Sequence, residues 1–507
     1  MESNAYFLQP KIDENGWVIQ IKESLDILQQ QEEEDKFYAS VFNVPKYLMA
    51  LNPEAYIPQS ISIGPYHHWR SELYDMERYK LAAARRFEKR INKRGKFQSV
   101  VVEEFKKHEW QIRSCYHKFI DYKEETLAWL MALDAAFLLE CLQFYVRQDN
   151  KTSDADFKQL GRVLDLSGTS AAHNSIVRDL MMLENQLPLF LLQKLLELQF
   201  EGSKAKAEER LSRLLRLVCQ ELSPFTFKLP DNSNLHINER GHLLEVLYYA
   251  IVPVSNEESP DPSDEDQERN SPDTVDTSTV RQAFSTLIWK VLSSLNVRPL
   301  RLLTEWLRGA LNIIPITRLV KKDTIKSEKK KGEGDGDEKG KESFVKIKPP
   351  TRDKQTIPSV ADLHSAGVKF VSTDGDLTTI QFDKNTATLY LPGVKLDTNT
   401  EVILRNLVAF EASAAPCALI FTRYTDFMNG IIDRKEDVRL LRENGIISNR
   451  LKGDGEVARL WNSMGRCVHL TKVEFLDKVI EDVNTYYNRK WKVVAVKFVK
   501  EHIFGSW

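Results

Sequence analysis

The stretch Leu73-Tyr-Asp-Met-Glu-Arg-Tyr-Lys-Leu-Ala-Ala-Ala-Arg-Arg-Phe-Glu-Lys-Arg-Ile91 places Leu73, Met76, Lys80, Ala83, Phe87 and Ile91 at three- and four-residue steps. That period is one face of an α-helix. Working outward, the same spacing predicts helices at about 100–120, 124–146, 174–198, 205–222 and 239–252. Upstream, residues 41–66 interleave short apolar groups with Pro45, Pro53, Pro58 and Pro65, which favours an extended or turning path. Downstream, Ser359-Val-Ala-Asp362 and Thr398-Asn-Thr-Glu401 have the spacing of helix-starting capping boxes, the first ahead of a short helix stopped by Gly367. Val368–Phe370, Leu377–Phe382 and Thr388–Leu391 read as three short strands separated by Asp-Gly and Lys-Asn turns. Further helices are expected at about 417–430, 435–444, 456–464 and 472–488, the last capped by Thr471-Lys-Val-Glu474. The expected fold class is mainly α: a helical bundle-like single domain with a small β element in the C-terminal third.

The 507 residues divide by composition into an N-terminal arm (1–40), a helical part (41–254), an acidic insert (255–279), a basic amphipathic island (280–320), a second charged insert (321–354) and an α part with a small β element (355–507). The two inserts carry Ser, Pro, Gly and dense charge, a composition that cannot bury enough apolar surface to fold. Over the whole chain 71 Lys and Arg balance 73 Asp and Glu, so no nucleic-acid partner is expected. Apolar residues make up 42%, ample for a sizeable core.

Five widely spaced cysteines, Cys115, Cys141, Cys219, Cys417 and Cys467, show no metal or CxxC spacing and read as buried, reduced thiols. The N-terminus lacks the basic and apolar regions of a secretory signal. No stretch is expected to reach the ~18 to 20 apolar residues that span a bilayer. The longest apolar runs, Leu187–Leu192 and Leu243–Val254, suit buried helices.

Chemistry is sparse. Phosphate-cradling glycine loops, a GxSxG elbow and an HExxH helix are all missing, so no cofactor is expected. The adjacent pair His67-His68 could serve a metal or a proton transfer, or could close a tight turn with its imidazoles on backbone carbonyls. A metal would need three or four convergent ligands, and none is spaced for it. Asp134 and Glu140 lie in the apolar run Trp129–Glu140, and Glu184 lies in Leu180–Phe190. An acid on such a segment must find donors, shift its pKa or face outward. Either two of these acids meet and form an acid/base pair, or Glu184, Asn185 and Gln186 tie helices together in a buried polar network.

The island Val280–Val320 carries six cationic residues, among them Arg298, Arg301 and Arg308, one acid (Glu305), and Trp289 and Trp306. Aromatic and cationic side chains in one amphipathic segment suit contact with an anionic membrane surface or a partner. They equally suit a hairpin docked on the bundle, with arginine stems covering apolar surface.

Several phrases together resemble one family. They are Val44-Pro45-Lys46, the run Asn52-Pro-Glu-Ala-Tyr-Ile-Pro-Gln-Ser-Ile-Ser-Ile-Gly-Pro-Tyr-His-His68, Asp179-Leu-Met-Met-Leu-Glu-Asn-Gln-Leu-Pro-Leu-Phe190, Ile357–Phe370, Leu404-Arg-Asn-Leu407 and Gly445-Ile-Ile447. In this order they resemble the plant proteins that carry domain of unknown function 247, also catalogued as uncharacterised protein family 0481. Trp69 stands where relatives usually place Gly. The resemblance implies one interrupted domain with no assigned enzymatic activity. Some relatives are linked to self-incompatibility, which implies recognition of an unknown protein partner. Relatives typically end in a membrane-spanning helix just beyond a segment like Phe504-Gly-Ser-Trp507, and this chain stops there. Membrane association is therefore expected, with a cytoplasmic location as the alternative.

Two readings stay open at this point. In one, the protein is a non-enzymatic interaction or recognition protein at or near a membrane. In the other, it is a hydrolase or transferase built on Asp134, Glu140, Glu184 and the His67-His68 turn. A pocket joining the carboxylates to a histidine would favour the second; carboxylates bonded to backbone amides and neighbouring helices would favour the first.

Overall fold

The computed structural model describes residues 39–91, 94–148, 170–227, 240–252, 357–414, 418–464 and 471–502, together with Val18, Lys22 and Leu25. The island, with Trp289, Arg298, Arg301, Trp306 and Arg308, lies outside the described residues, as do both charged inserts.

The proline-rich start is mostly irregular: a bridge from Val41 to Tyr116, a short helix α1 (Lys46–Leu51), and a single 3-10 turn at Pro53–Ala55. Helix α2 (Glu77–Arg90) buries Lys80, Ala83 and Phe87, three of the six positions that define its period. The expected helix at 100–120 is broken into a π turn (Gln98–Val102), α3 (Glu103–Lys106) and α4 (Glu109–Ser114). The reversal after α4 is held by Arg113, whose guanidinium donates to the carbonyls of Ile120 (2.6 Å) and Tyr122 (2.6 Å). Helix α5 (Glu124–Gln148) then runs through the middle of the N-terminal half, packed against α2.

The predicted helix at 174–198 is interrupted. Helix α6 (Ser170–Leu180) stops eight residues before Pro188, and α7 (Leu189–Gln199) starts directly after it. Proline cannot donate within a helix and its ring clashes with the preceding turn. Asn185 and Gln186 side chains also capture the carbonyls of Asp179, Leu180 and Met182, replacing backbone partners with side-chain ones. Helices α8 (Lys204–Leu222) and α9 (Leu243–Ile251) complete this half; α7 and α8 pack on each other and both on α5.

After α10 (Val360–Ser365), capped by the Ser359 hydroxyl accepting from Asp362 N–H (3.2 Å), come the strands β1 (Lys369–Thr373), β2 (Gln381–Asp383) and β3 (Thr388–Pro392). Residues Leu377–Thr379, predicted as strand, form a 3-10 turn because Asp376 accepts from Thr378 N–H (2.9 Å) and the Thr379 hydroxyl donates back to Asp376 O (2.8 Å). The sheet order is β1-β3-β2, with β1 parallel to β3 (Lys369 opposite Thr388) and β2 antiparallel to it (Phe382 opposite Leu389). A second, two-stranded parallel sheet pairs β4 (Val394–Leu396) with β5 (Ile447–Asn449). No alternation announces these three-residue strands, and they are set by their neighbours. Between and after them lie α11 (Thr400–Ala414), α12 (Ile420–Ile431), α13 (Lys435–Glu443), α14 (Asp454–Met464) and α15 (Glu474–His502).

The two halves share one core. Phe137, Leu191 and Leu244 from the first belong to the same buried cluster as Leu404, Phe421 and Trp461 from the second. Phe225 bridges to Val394, and Lys395 N–H donates to Pro224 O (2.7 Å) across the same seam. The described residues of Met1–Ser255 and Lys354–Trp507 accordingly form one unit. The mainly α fold with a small sheet in its C-terminal third matches the sequence reading.

One expectation needs correction. By length and composition α5 has a span, Glu124–Phe144, apolar enough to cross a membrane. Its acids at 134 and 140 break the apolar run without lowering the mean hydropathy enough to exclude it. In this fold 83% of its most apolar stretch is buried within the protein, as befits a core helix surrounded by others. Cys115, Cys141 and Cys219 are free and buried as expected; Cys417 and Cys467 lie outside the described residues.

Candidate functional site: a buried polar clamp

The chain between α6 and α7 holds the proline-rich segment in place with side chains. Asp179, fully buried, accepts through one carboxylate oxygen from the backbone N–H groups of Gln59 (2.9 Å), Ser60 (2.6 Å) and Ile61 (3.0 Å). Its other oxygen accepts from Arg178 (3.1 Å). Six residues on, Asn185 accepts from Ile63 N–H (2.7 Å) and donates to Ile61 O (3.0 Å), pairing with an extended backbone as a neighbouring strand would. Gln186 donates to Leu180 O and Met182 O and accepts from Leu244 N–H (3.2 Å), which ties in α9. From the other half of the molecule, Asn406 on α11 accepts from Leu183 N–H (2.9 Å) and donates to Ala55 O (2.8 Å). Irregular backbone buried at this depth needs such partners, because each unmatched group would lose its hydration without return.

The candidate acids are placed as follows. Glu184 accepts from Val44 N–H (2.9 Å) and Asn43 Nδ2 (3.4 Å), and its second oxygen lies 3.4 Å from His67 Nε2. Burial acts to raise the Glu184 carboxyl, but His67 and these donors outweigh it and hold the group below its ordinary value. Asp134 accepts from Gly64 N–H (2.8 Å) and pairs with the buried Lys80 ammonium (2.7 Å). Burial pushes the Asp134 carboxyl up to about 6, against the pull of Lys80. Glu140 is held by Arg86 through two bonds, 2.7 and 3.1 Å, which lock α2 to α5. His67 and His68 therefore diverge. His67 turns to Glu184, whereas half-buried His68 stacks edge-on against Trp69 (centroids 4.6 Å apart). Burial, reinforced by Lys80, keeps the His68 imidazole below its usual pKa.

The structure brings Glu184 to His67 and Asp134 to the same turn at Gly64, but it puts Glu140 with Arg86 and not with either acid. Among the described residues no group of His, Cys, Asp and Glu is arranged to hold a metal ion. A cleft of about 550 Å³ lies elsewhere, between Leu51, the first turns of α11 and one face of α14, and includes none of the candidates. Sequence reading missed Asp179, Lys80, Arg86 and Asn406 as members of the network. The signal for Asn406 and Lys80 was a polar residue at an inward position of an apolar helix face. Asp179 carried none beyond its place ahead of a helix-breaking run.

The family described as plant protein of unknown function, DUF247, matches residues 41–507. The UPF0481 protein At3g02645 of Arabidopsis thaliana is 40% identical over 504 residues, covering 98% of this chain and 92% of its own. A second Arabidopsis thaliana protein, UPF0481 protein At3g47200, is 23% identical over 482 residues, 92% of this chain and 81% of its own. No solved structure matches. With its family blocks at 52–68 and 179–190 forming the two sides of one clamp, the chain belongs to the DUF247 family of plant proteins of unknown function.

Proposed function

We propose that this protein is a non-enzymatic interaction and recognition protein acting at or near a membrane, in keeping with the self-incompatibility link of some relatives. The observation that carries the reading is the saturation of the candidate acids. Asp134, Glu140 and Glu184 each spend their lone pairs on a backbone amide or a fixed cation that joins two segments of the fold. A carboxylate so engaged positions the chain and leaves little capacity for proton transfer to a substrate. Membrane contact draws support from the sequence of the basic aromatic island and from α15, whose last three turns carry Lys492, Lys497 and Lys500 among Trp491, Val496 and Phe498.

Membrane flotation of the full chain from plant cells, beside a variant lacking 280–320, tests the location. The full chain is expected to float and the deletion to float less. Failure of the full chain to float rejects the membrane part of the reading.

A hydrolase or transferase remains the second reading, favoured by the largely buried His67–Glu184 pair. It requires turnover of an activated ester or glycoside by the full chain, abolished in both His67→Ala and Glu184→Gln.

A further inference from the structure

The outward face of α2 is sorted by charge as its inward face is by apolarity. Arg78, Leu81, Arg85 and Lys89 are all exposed and fall at three- and four-residue steps, so they form one stripe along the helix. Exposed Arg94 and Lys96 continue it past the helix end. Among the described residues, the side chains of Arg85, Lys89, Arg94 and Lys96 have no hydrogen-bond or ion-pair partner. Arg78 lies over the ring of Tyr79, 5.6 Å from its centroid. The acids close by are mostly engaged elsewhere. Glu77 pairs inward with Lys80 (2.7 Å), Glu140 of α5 is taken by Arg86, and Glu72 by Arg70 (2.8 Å). Half-buried Glu88 accepts from Phe97 N–H (2.7 Å), and Asp75 stands exposed ahead of the stripe. Set against these last two acids, the five cations still leave a clear positive excess.

Helix stability does not account for this arrangement. A cation in the last turn, such as Lys89, suits the helix dipole, but Arg78 sits in the first turn, at the wrong end for it. Arg85 and Lys89 are like charges four residues apart, a spacing that costs helix stability. Over the whole chain acids outnumber bases, 73 to 71, so the stripe is a local segregation of charge. Two apolar side chains belong to the same surface: Leu81, 56% exposed, between Arg78 and Arg85, and Tyr74, 44% exposed, four residues before Arg78. A bound peptide wants a groove or a sheet edge. The stripe is the convex side of a helix, running about 16 Å from Arg78 to Lys89, and the cleft described above lies elsewhere, at α11 and α14.

We propose that the outward face of α2 rests on the headgroups of an anionic lipid bilayer. The five cations lie over lipid phosphates and carboxylates, and Leu81 and Tyr74 settle among the headgroups. The proposal rests on the membrane part of the reading above and adds a contact made by the folded unit itself, apart from the island and the end of α15. Charge complementarity selects the occupant. A bilayer with acidic headgroups presents anions along the full length of the stripe, and each Lys or Arg near such a surface strengthens the attraction about fivefold. A convex row of cations needs no pocket to meet a broad surface, and long flexible side chains can follow lipids that move.

Co-sedimentation of the full chain with phosphatidylcholine vesicles, with and without phosphatidylserine, tests it. The wild type should bind the phosphatidylserine vesicles and come off as salt is raised. The triple variant Arg85→Gln, Lys89→Gln, Lys96→Gln should bind at least about tenfold more weakly. The charge-keeping variant Arg85→Lys, Lys89→Arg, Lys96→Arg should bind like the wild type. These side chains have no hydrogen-bond or ion-pair partner in the fold, so both variants are expected to unfold at the wild-type temperature, which separates lost binding from lost fold. Equal vesicle binding by the glutamine variant, or binding that ignores phosphatidylserine, rejects the α2 contact and leaves the membrane reading standing. Binding to polyglutamate in place of vesicles points to an acidic protein partner and overturns the proposal. No vesicle binding by the wild type also overturns it, and flotation from plant cells then decides the membrane reading separately.

Discussion

Lys80 Nζ lies 2.7 Å from Asp134 Oδ1, and each side chain is only 1% exposed, so α2 and α5 are joined by a pair of charges sealed inside the bundle. The same ammonium is 2.7 Å from Glu77, whose side chain reaches the surface. A buried pair of this kind contributes little net stability, yet breaking it strands a charge in a poorly solvating environment. Lys80→Met is therefore expected to lower unfolding free energy by about 3–5 kcal/mol. Lys80→Met with Asp134→Asn, which removes both charges and keeps an acceptor for Gly64 N–H, should recover at least about 1 kcal/mol of that. Urea denaturation of Lys80→Met, Asp134→Asn and the double variant decides the matter, and additive losses would contradict it.

Gly64 has a positive φ of +76°, and a Cβ there would stand 2.6 Å from Gln186 O and 2.9 Å from the Tyr116 hydroxyl. The strain of that backbone region alone costs an L-residue about 1–2 kcal/mol, and the two close contacts add to it. Gly64→Ala should lose more than about 2 kcal/mol. Gly202 has φ +89° with no heavy atom within 4 Å of its would-be Cβ, so Gly202→Ala should lose only the backbone share. Thermal denaturation of the two variants side by side measures the difference, and equal losses would mean that the clamp does not press on Gly64.

His242 is fully buried, with Nε2 2.9 Å from Ser40 O and Nδ1 accepting from Glu245 N–H (3.2 Å). These contacts fit the neutral ring, and burial pushes its pKa down to about 4. The unfolded chain takes up the proton near 6.5, so between about 6.5 and 4 the unfolded state binds more protons than the folded one. Stability is then full above pH 6.5 and falls as the pH drops, by up to about 3 kcal/mol from this group. His242→Gln should flatten that slope. Urea midpoints for both proteins at pH 7 and pH 5 provide the check, and parallel pH profiles would remove His242 as the cause.

Asn406 joins three segments at once, accepting from Leu183 N–H and donating to Ala55 O (2.8 Å) and Val402 O (2.8 Å). Asn406→Ala leaves a buried donor and a buried acceptor from two different loops unmatched, at about 3 kcal/mol or more. Hydrogen exchange should quicken at Leu183 in particular. Unchanged protection of that amide would mean that another group takes over as its acceptor.

Much of this protein is determined by its sequence alone. The three- and four-residue spacing of Lys80, Ala83, Phe87 and Ile91 dictates a helix whatever surrounds it, because only a helix gathers those residues on one face. Ser359 and its neighbour Asp362 set a helix start through contacts within one turn. What the sequence leaves open are the features made by residues far apart in the chain. The break between α6 and α7 falls inside a stretch whose spacing predicts one helix, because its form depends on what Asn185 and Gln186 can reach. The three-residue strands β4 and β5 exist only because Ile446–Asn449 arrives beside Val394–Leu396. The roles of the acids were tertiary too. Asp134, Glu140 and Glu184 look alike in sequence, as single acids in apolar surroundings, and any could have been a proton-transfer group. Their partners come from 70, 54 and 140 residues away, at Gly64, Arg86 and Val44. A carboxylate's chemistry follows from the donors that meet it at about 3 Å, and chain order does not specify those until the fold has closed.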